Sequence, residues 1–389
     1  MNIIVFEDNN INMLAPFSIN HSPIELRIGA FTNLERICSL YEDHNIILIV
    51  RDVIKNITKE RFPDYIINPN EIPQGYCINS SAIINESDFE LLNKQKNLSN
   101  KDKIISFKLS EETNLSQFYK ILNKIDISIK SNINIIENIW DIFAISEEKI
   151  TSDFNYFVFN NNYVYHPSLI RINEEKIYIG DNSIIKAGVI LDATKGPIII
   201  DRNVIIDNGS VIEGPTYIGK DSYISPLSKI RSNTIIGPMC KIGGEVTCCN
   251  FLGYSNKVHD GFLGHSFIGE WVNIGAGTNN SNLKNNYSEV KVTKGNDTYA
   301  TKLQFLGTLV GDYTRIAIGT AINTGTYIGF GSNIFNHDIT KKYISSFSWG
   351  NNEKVNLNQF LETVSKMKNR RNKNISDEEQ QFISNLYNK

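Results

Sequence analysis

The apolar positions of this chain change period once. From about Tyr178 onward an aliphatic residue returns every sixth position: Ile206, Ile212, Ile218, Ile224, Ile230, Ile236 and Ile242 run without a break. Ile179, Ile185 and Leu191 form an earlier register, reset near Gly196-Pro197. Val246, Leu252 and Val258 continue it after a slip, then Ile268 and Ile274, then Val310, Ile316, Ile322, Ile328 and Ile334. Glycine often follows the aliphatic residue directly, as at Gly180, Gly219, Gly237, Gly243, Gly269, Gly275, Gly311 and Gly329. A helix repeats every 3.6 residues and cannot hold this pattern, and a plain strand repeats every two. A parallel β-helix satisfies both conditions, because each hexad supplies one short face and one corner. The aliphatic residue then points inward, and Gly or Asn takes positive φ at the corner. The pattern predicts roughly nine coils over residues 178–336. It is interrupted over 279–304, a polar excursion carrying Lys284, Lys291, Lys294 and Lys302, and excursions from solenoids are where binding sites are built.

Before the solenoid the pattern is α/β. Asn2–Phe6 and residues 46–50 are short apolar runs that end in Glu7-Asp8 and Arg51-Asp52, with helical spacing at Leu34, Ile37 and Leu40 between them. Strand, helix, strand implies a parallel sheet whose ligands bind at the strand C-termini. Asp8 and Arg27 therefore stand where chemistry is expected, against the simpler readings of a strand-ending turn and, for Glu25 and Arg27, a solvated helix start. Residues 89–126 read as polar and helix-like, and 133–143 as a linking helix. After Ile334 a helix is expected over 358–367. Ser376-Asp-Glu-Glu379 marks the capping box of a last helix ending near Tyr387. Both would cover the solenoid's open end. The expected domains are 1–160, 161–338 and a helical tail, 339–389.

Composition narrows the function. A net charge of -3 among 389 residues gives no electrostatic case for nucleic acid. Cys38, Cys77, Cys240, Cys248 and Cys249 have no CxxC spacing and read as reduced thiols of a cytoplasmic protein. No leader or membrane-spanning run is expected. The stretch of densest polar chemistry is 254–287, where His259 and His265 sit six residues apart among glycines and asparagines, with Lys284 following.

HDGFLGHSFIGEWVNIGAGT, within hexapeptide repeats, resembles the bifunctional family that joins a sugar-1-phosphate nucleotidyltransferase to a glucosamine-1-phosphate acetyltransferase. The chain is more similar still to a shorter variant of that family. There the N-terminal phrase PLTxTRPxxELRxG is matched here from Pro16 through Glu25, Leu26 and Arg27 to Gly29, and the likeness runs on through Trp140-Asp141, NNSNLKNNY, FLGTLVGDYTRIAIGTAINTGTYIG and SFSWG. The resemblance implies an α/β nucleotidyltransferase-like domain, a left-handed parallel β-helix and a short helical tail. It also implies a homotrimer with sites between neighbouring coils. The family's loop LxxGxGTRM is absent, and the variant's Arg-Pro is here His21-Ser22.

By the same resemblance, acetyl-CoA is the acyl donor to the amine of an amino-sugar 1-phosphate. His259 falls on the family's general base, with His265 the runner-up. A histidine near neutrality can take the proton an amine must lose. Ala276 falls where the coenzyme arm enters. Asn273 and Asn282 fall on substrate-facing positions, and Arg231 and Lys284 suit a sugar phosphate. One family lysine falls on Thr247. In the first domain Asp8, Glu25 and Arg27 form the nucleotidyltransferase site, with Asp8 as the ligand of a Mg²⁺ that accompanies a nucleoside triphosphate. Two other readings remain open: a sugar-1-phosphate nucleotidyltransferase using UTP or dTTP whose β-helix only trimerises or senses a ligand, and a sugar-nucleotide-binding scaffold without activity.

Overall fold

A computed structural model describes residues 1–94, 97–126, 129–157, 166–335, 338–350 and 353–389. Two compact units share the chain. One is made of residues 1–26, 31–138 and 376–389, the other of residues 27–30 and 139–375. The boundary expected at 160–161 lies outside the described residues. The expected tail is divided between the units, with Leu357–Asn369 in the second and Asp377–Tyr387 in the first.

The first unit is built on a seven-stranded sheet. Asn2–Phe6 is central, flanked in parallel by Asn45–Ile49 on one side and Gly75–Asn79 on the other. Ile66–Ile67 extends the first side in parallel, and Lys103–Leu109 adds to Gly75–Asn79 antiparallel. The chain thus leaves Asn2–Phe6 in one direction and later returns to its other edge. That reversal marks the switch point where such sheets bind ligands. Residues 98–109, expected as part of a helical stretch, are strands (Leu98–Asn100 and Lys103–Leu109), since the run KIISF puts β-branched and aromatic side chains where a half-buried sheet accepts them. Phe6 meets Phe107 and Phe118 edge-on in the core of this unit, 5.5 Å from Phe107 and 5.7 Å from Phe118. The helix start read at Glu25 and Arg27 falls instead at Asn33. Thr32 and Glu35 cap it reciprocally, Glu35 N donating to Thr32 Oγ1 at 3.2 Å and Thr32 N to Glu35 Oε2 at 2.6 Å. Asp377–Tyr387 packs against Lys55–Arg61, and Ser376 Oγ donates to Glu60 Oε2 at 2.7 Å.

The second unit opens with the helix Ile142–Asp153, later than the linking helix expected at 133–143. It then forms the parallel β-helix: three sheets, one per face, one of which stacks nine parallel strands from Ile177–Ile179 to Tyr343–Ile344. Most successive coils are 18 residues apart, as in Ile198↔Thr216↔Thr234. The interior is the predicted aliphatic column, with Ile206, Ile212, Ile218, Ile224, Ile230, Ile236 and Ile242 all at 0% exposure.

The register expected after residue 246 is corrected by the structure. Ile242 pairs with Lys257, only 15 residues on, so this coil is short by three. Val246, Phe251, Leu263 and Ile268 fill the interior, while Leu252 and Val258 are not part of that core. A coil with shortened corners cannot hold the six-residue count.

Corners also depart from the Gly-and-Asn expectation. One column of left-handed positions begins Asn182, Asn203, Asp221 and then runs Met239, Tyr254, Trp271 and Tyr313, with Gly331 before Phe347, at φ of 54–67°. Each bulky residue there costs roughly 1 kcal/mol of backbone strain, which stacking offsets: Tyr254 and Trp271 lie 4.5 Å apart at 13°, Trp271 and Tyr313 6.4 Å apart at 3°. The helix Leu357–Asn369 lies along this ladder rather than over the open end. Its Phe360 meets Tyr313, Phe330 and Phe347, Lys368 Nζ sits 5.6 Å over the Trp271 ring, and Arg371 reaches Asn256 Oδ1 at 2.7 Å. Thirteen residues of helix span about 20 Å, the height of about four coils.

Ile224→Ala, which empties a fully enclosed interior slot, is expected to destabilise the protein by about 2–5 kcal/mol, whereas Ile184→Ala on the half-exposed outer face changes it by less than about 0.5 kcal/mol. Denaturant midpoints of the two variants check this.

Candidate functional site

His259 and His265 are separated by the strand Phe262–Gly264 and occupy different corner columns of the solenoid. The three-residue strand between them spans roughly 10 Å, so the two histidines stand at opposite ends of one face.

His259 is exposed, and its ring has no hydrogen bond among the described residues. The residue after it begins a corner that is stacked on the next coil: Gly277 N donates to Asp260 O at 2.9 Å, and Gly319 N to Ala276 O at 2.8 Å. Gly261, at φ 129°, is required there, since a Cβ would fall 2.1 Å from Thr278 O. Ala276 thus sits on the corner directly adjoining that of His259. Its N–H has no hydrogen-bond partner among the described residues. Asn273, exposed on the face leading into that corner, is in register with Asn256 below and Arg315 above.

His265 is held far more tightly. Its backbone is left-handed at φ 49°, its N donates to Thr247 O at 3.0 Å and its O accepts from Gly307 N at 2.8 Å. The ring stacks on Phe305 at 5.3 Å and 25°, and Asn282 Nδ2 donates to Nδ1 at 2.9 Å, leaving the ring proton on Nε2. Burial pushes the imidazole down to about 4, so the ring is neutral at pH 7. The excursion builds this corner: Leu306 N donates to Asn282 O at 2.9 Å, and Leu283 pairs with Phe305. Lys284, two residues beyond Asn282, donates to Ser288 Oγ at 2.6 Å and Glu289 O at 3.2 Å. Arg231 lies lower on the same column of corners and is engaged by two carboxylates, Glu245 at 3.3 Å and Glu213 at 3.9 Å. The structure therefore groups His265 with Asn282 at one corner and His259 with Ala276 at another, while the Lys284 ammonium is turned to Ser288 and Glu289 within the excursion. Phe305 was missed in the sequence because its partner His265 lies forty residues earlier, across an excursion with no periodic signal.

In the first unit, Asp8 follows the central strand. Its Oδ1 accepts from Asn10 N at 2.8 Å and its Oδ2 from Asn79 Nδ2 at 3.2 Å, tying together the ends of the two strands that flank the switch point. Glu7 is buried and paired with Arg51 at 2.7 Å, and desolvation outweighs the arginine to raise its carboxyl above the usual range. Burial likewise opposes charge on Glu25, but Arg61 at 3.1 Å and His21 at 2.8 Å overcome it and hold the carboxyl down at about 2. Arg61 thus brings a guanidinium to the place where His21 stands in the sequence. Arg27 belongs to the second unit: its guanidinium donates to Ala30 O and lies 5.5 Å over the Tyr217 ring, and its carbonyl accepts from Asn250 Nδ2 at 2.8 Å. Among the described residues no helix is long and apolar enough to cross a membrane.

With its ring proton already on Nε2 and its pKa near 4, His265 is expected to show no imidazole titration between pH 5.5 and 8 by NMR, and to begin protonating only near pH 4.

Residues 3–160 match the family model described as sugar nucleotidyl transferase. Among curated relatives, a bifunctional protein GlmU from Thermodesulfovibrio yellowstonii is 32% identical over 173 residues, 44% of this chain and 34% of the relative. A bifunctional sugar-1-phosphate nucleotidylyltransferase/acetyltransferase from Sulfurisphaera tokodaii is 32% identical over 143 residues, 36% of each chain. A GlmU from Wigglesworthia glossinidia brevipalpis is 27% identical over 265 residues, 62% of this chain and 53% of the relative. The chain spans about a third to a half of the length of these relatives. A UDP-N-acetylglucosamine acyltransferase structure from Campylobacter jejuni aligns over 56% of this chain and 94% of its own at 15% identity, with a TM-score of 0.22. Residues 3–160 are thus similar to the sugar nucleotidyl transferase family, and part of the chain is similar to bifunctional nucleotidylyltransferase/acetyltransferases.

Proposed function

We propose that the protein transfers an acetyl group from acetyl-CoA to the amine of an amino-sugar 1-phosphate, and that its first domain transfers a nucleotidyl group to the resulting sugar phosphate. One observation carries the acetyl transfer: among the described residues, an exposed His259 ring without a hydrogen-bond partner stands one corner from Ala276, whose N–H also has none. His259 accepts the proton from the attacking amine. As the C–N bond forms, the thioester oxygen takes up negative charge, and the Ala276 N–H is available to it. The C–S bond then breaks, and His259 returns the proton to the departing CoA sulfur.

His265 stays neutral and, through Nε2–H, donates to a sugar oxygen, with Asn273 and Asn282 supplying further polar contacts. Lys284 and Arg231 face the phosphate. The two corners lie across one face of the solenoid, so a homotrimer in which a neighbour's His265 corner meets His259 completes the site. The family likeness of residues 3–160 and the Asp8–Asn79 pair at the switch point support the nucleotidyl step. Asp8 keeps its carboxylate outside the Glu7–Arg51 pair, and a single carboxylate with triphosphate oxygens suits Mg²⁺. The ion would offset triphosphate charge, while Glu25 braces the surrounding loop through His21 and Arg61. Soluble substrates of this kind place the work in the cytoplasm.

His259→Ala is expected to lower acetyl transfer by roughly 10²–10⁴, read as CoA thiol released across a panel of amino-sugar 1-phosphates, with nucleotidyl transfer intact. If the wild-type protein releases no thiol with any of them, the reading fails. Asp8→Asn is expected to abolish Mg²⁺-dependent pyrophosphate release from a nucleoside triphosphate without touching the thiol assay. Pyrophosphate release alone, with the thiol assay silent, would instead favour a nucleotidyltransferase whose solenoid only assembles the trimer.

A further inference from the structure

One face of the solenoid places Ile185, Ile206, Ile224 and Ile242 in register, and on the later coils Ile274, Ile316 and Ile334. Between Ile242 and Ile274 the same slot holds Lys257, paired with Ile242 and 1% exposed. A lysine in an apolar interior loses hydration that an isoleucine never had, so its presence costs stability unless its ammonium is satisfied. Its Nζ donates to Gly243 O at 2.9 Å and His259 O at 3.0 Å. Room for it depends on Gly244, where a Cβ would lie 2.9 Å from Nζ. Burial brings the amine down to about 8, with Cys249 and Asp260 acting the other way. The stem fills the isoleucine's volume, and the head turns toward the one corner that carries the exposed histidine.

We infer that Lys257 is a positioning residue: from inside the solenoid it clamps the carbonyls of Gly243 and His259 and so fixes the backbone from which the His259 ring projects. The short coil explains the need. With three residues removed between Ile242 and Lys257, the corner that follows lacks the regular 18-residue neighbour that steadies the others, and an internal donor replaces it. The inference rests on the proposed acetyl transfer for its kinetic arm only.

Lys257→Met gives the test, because methionine restores an apolar filling to a slot that is isoleucine in the neighbouring coils. The variant is expected to melt at or above the wild-type temperature, to lose tenfold or more in kcat with the KM for acetyl-CoA within twofold, and to displace the His259 ¹³Cε1 resonance. Lys257→Gln, which keeps one donor, is expected to fall between the two, and it decides the matter if the methionine variant does not fold. An unchanged kcat with an unmoved resonance overturns the inference, as does a fall in kcat matched by a fall in melting temperature. If the wild-type protein transfers no acetyl group, the functional reading fails, and the resonance alone still decides whether Lys257 holds the His259 corner.

Discussion

Coil-on-coil stacking is the constraint on which the second unit depends. Each hexad exposes one row of backbone donors and acceptors that only the next coil can satisfy, and each inward isoleucine is buried only because another lies above and below it. No single coil is stable by itself. Every departure from the period must therefore be absorbed locally, by an excursion, a substituted corner or an internal polar group. All three devices occur between residues 239 and 307, and that is where the candidate chemistry collects.

The three devices act on different links. The coil shortened by three residues changes the register and turns an interior slot over to Lys257. The excursion over 279–304 delivers Asn282 and then Phe305 to the His265 corner, converting an ordinary left-handed corner residue into a buried, neutral, oriented imidazole. The aromatic corner column gives Leu357–Asn369 an apolar surface to lie on. Stiffness of the scaffold is what makes these local departures useful, since a site built on a rigid element holds its geometry better than one on a free loop.

The first unit answers a different constraint. Strands that end together leave buried polar groups at their C-termini, and here Glu7 with Arg51, and Glu25 with His21 and Arg61, pair them internally. Such pairs contribute little net stability but fix the loops around them. Asp8 stands outside these pairs, held by an amide side chain and a backbone N–H, and so keeps a carboxylate available beside the switch point.

Period and composition alone determined the solenoid, its excursion and the α/β character of the first unit, because burial of one residue in six leaves a mark that no local context erases. The same reasoning located His259, His265, Asn282 and Lys284 in one short stretch. It could not say that the two histidines stand on different corners, nor that Arg27 is held by Tyr217 and Ala30 in the second unit. It carried the aliphatic count through Leu252 and Val258, past Lys257, because a lysine reads as surface when only its own side chain is considered. Those outcomes depend on which coil lies above which, and a coil three residues short changes that for every residue after it. Tertiary structure decided them because register is a relation between distant segments, and single positions in a chain do not carry it.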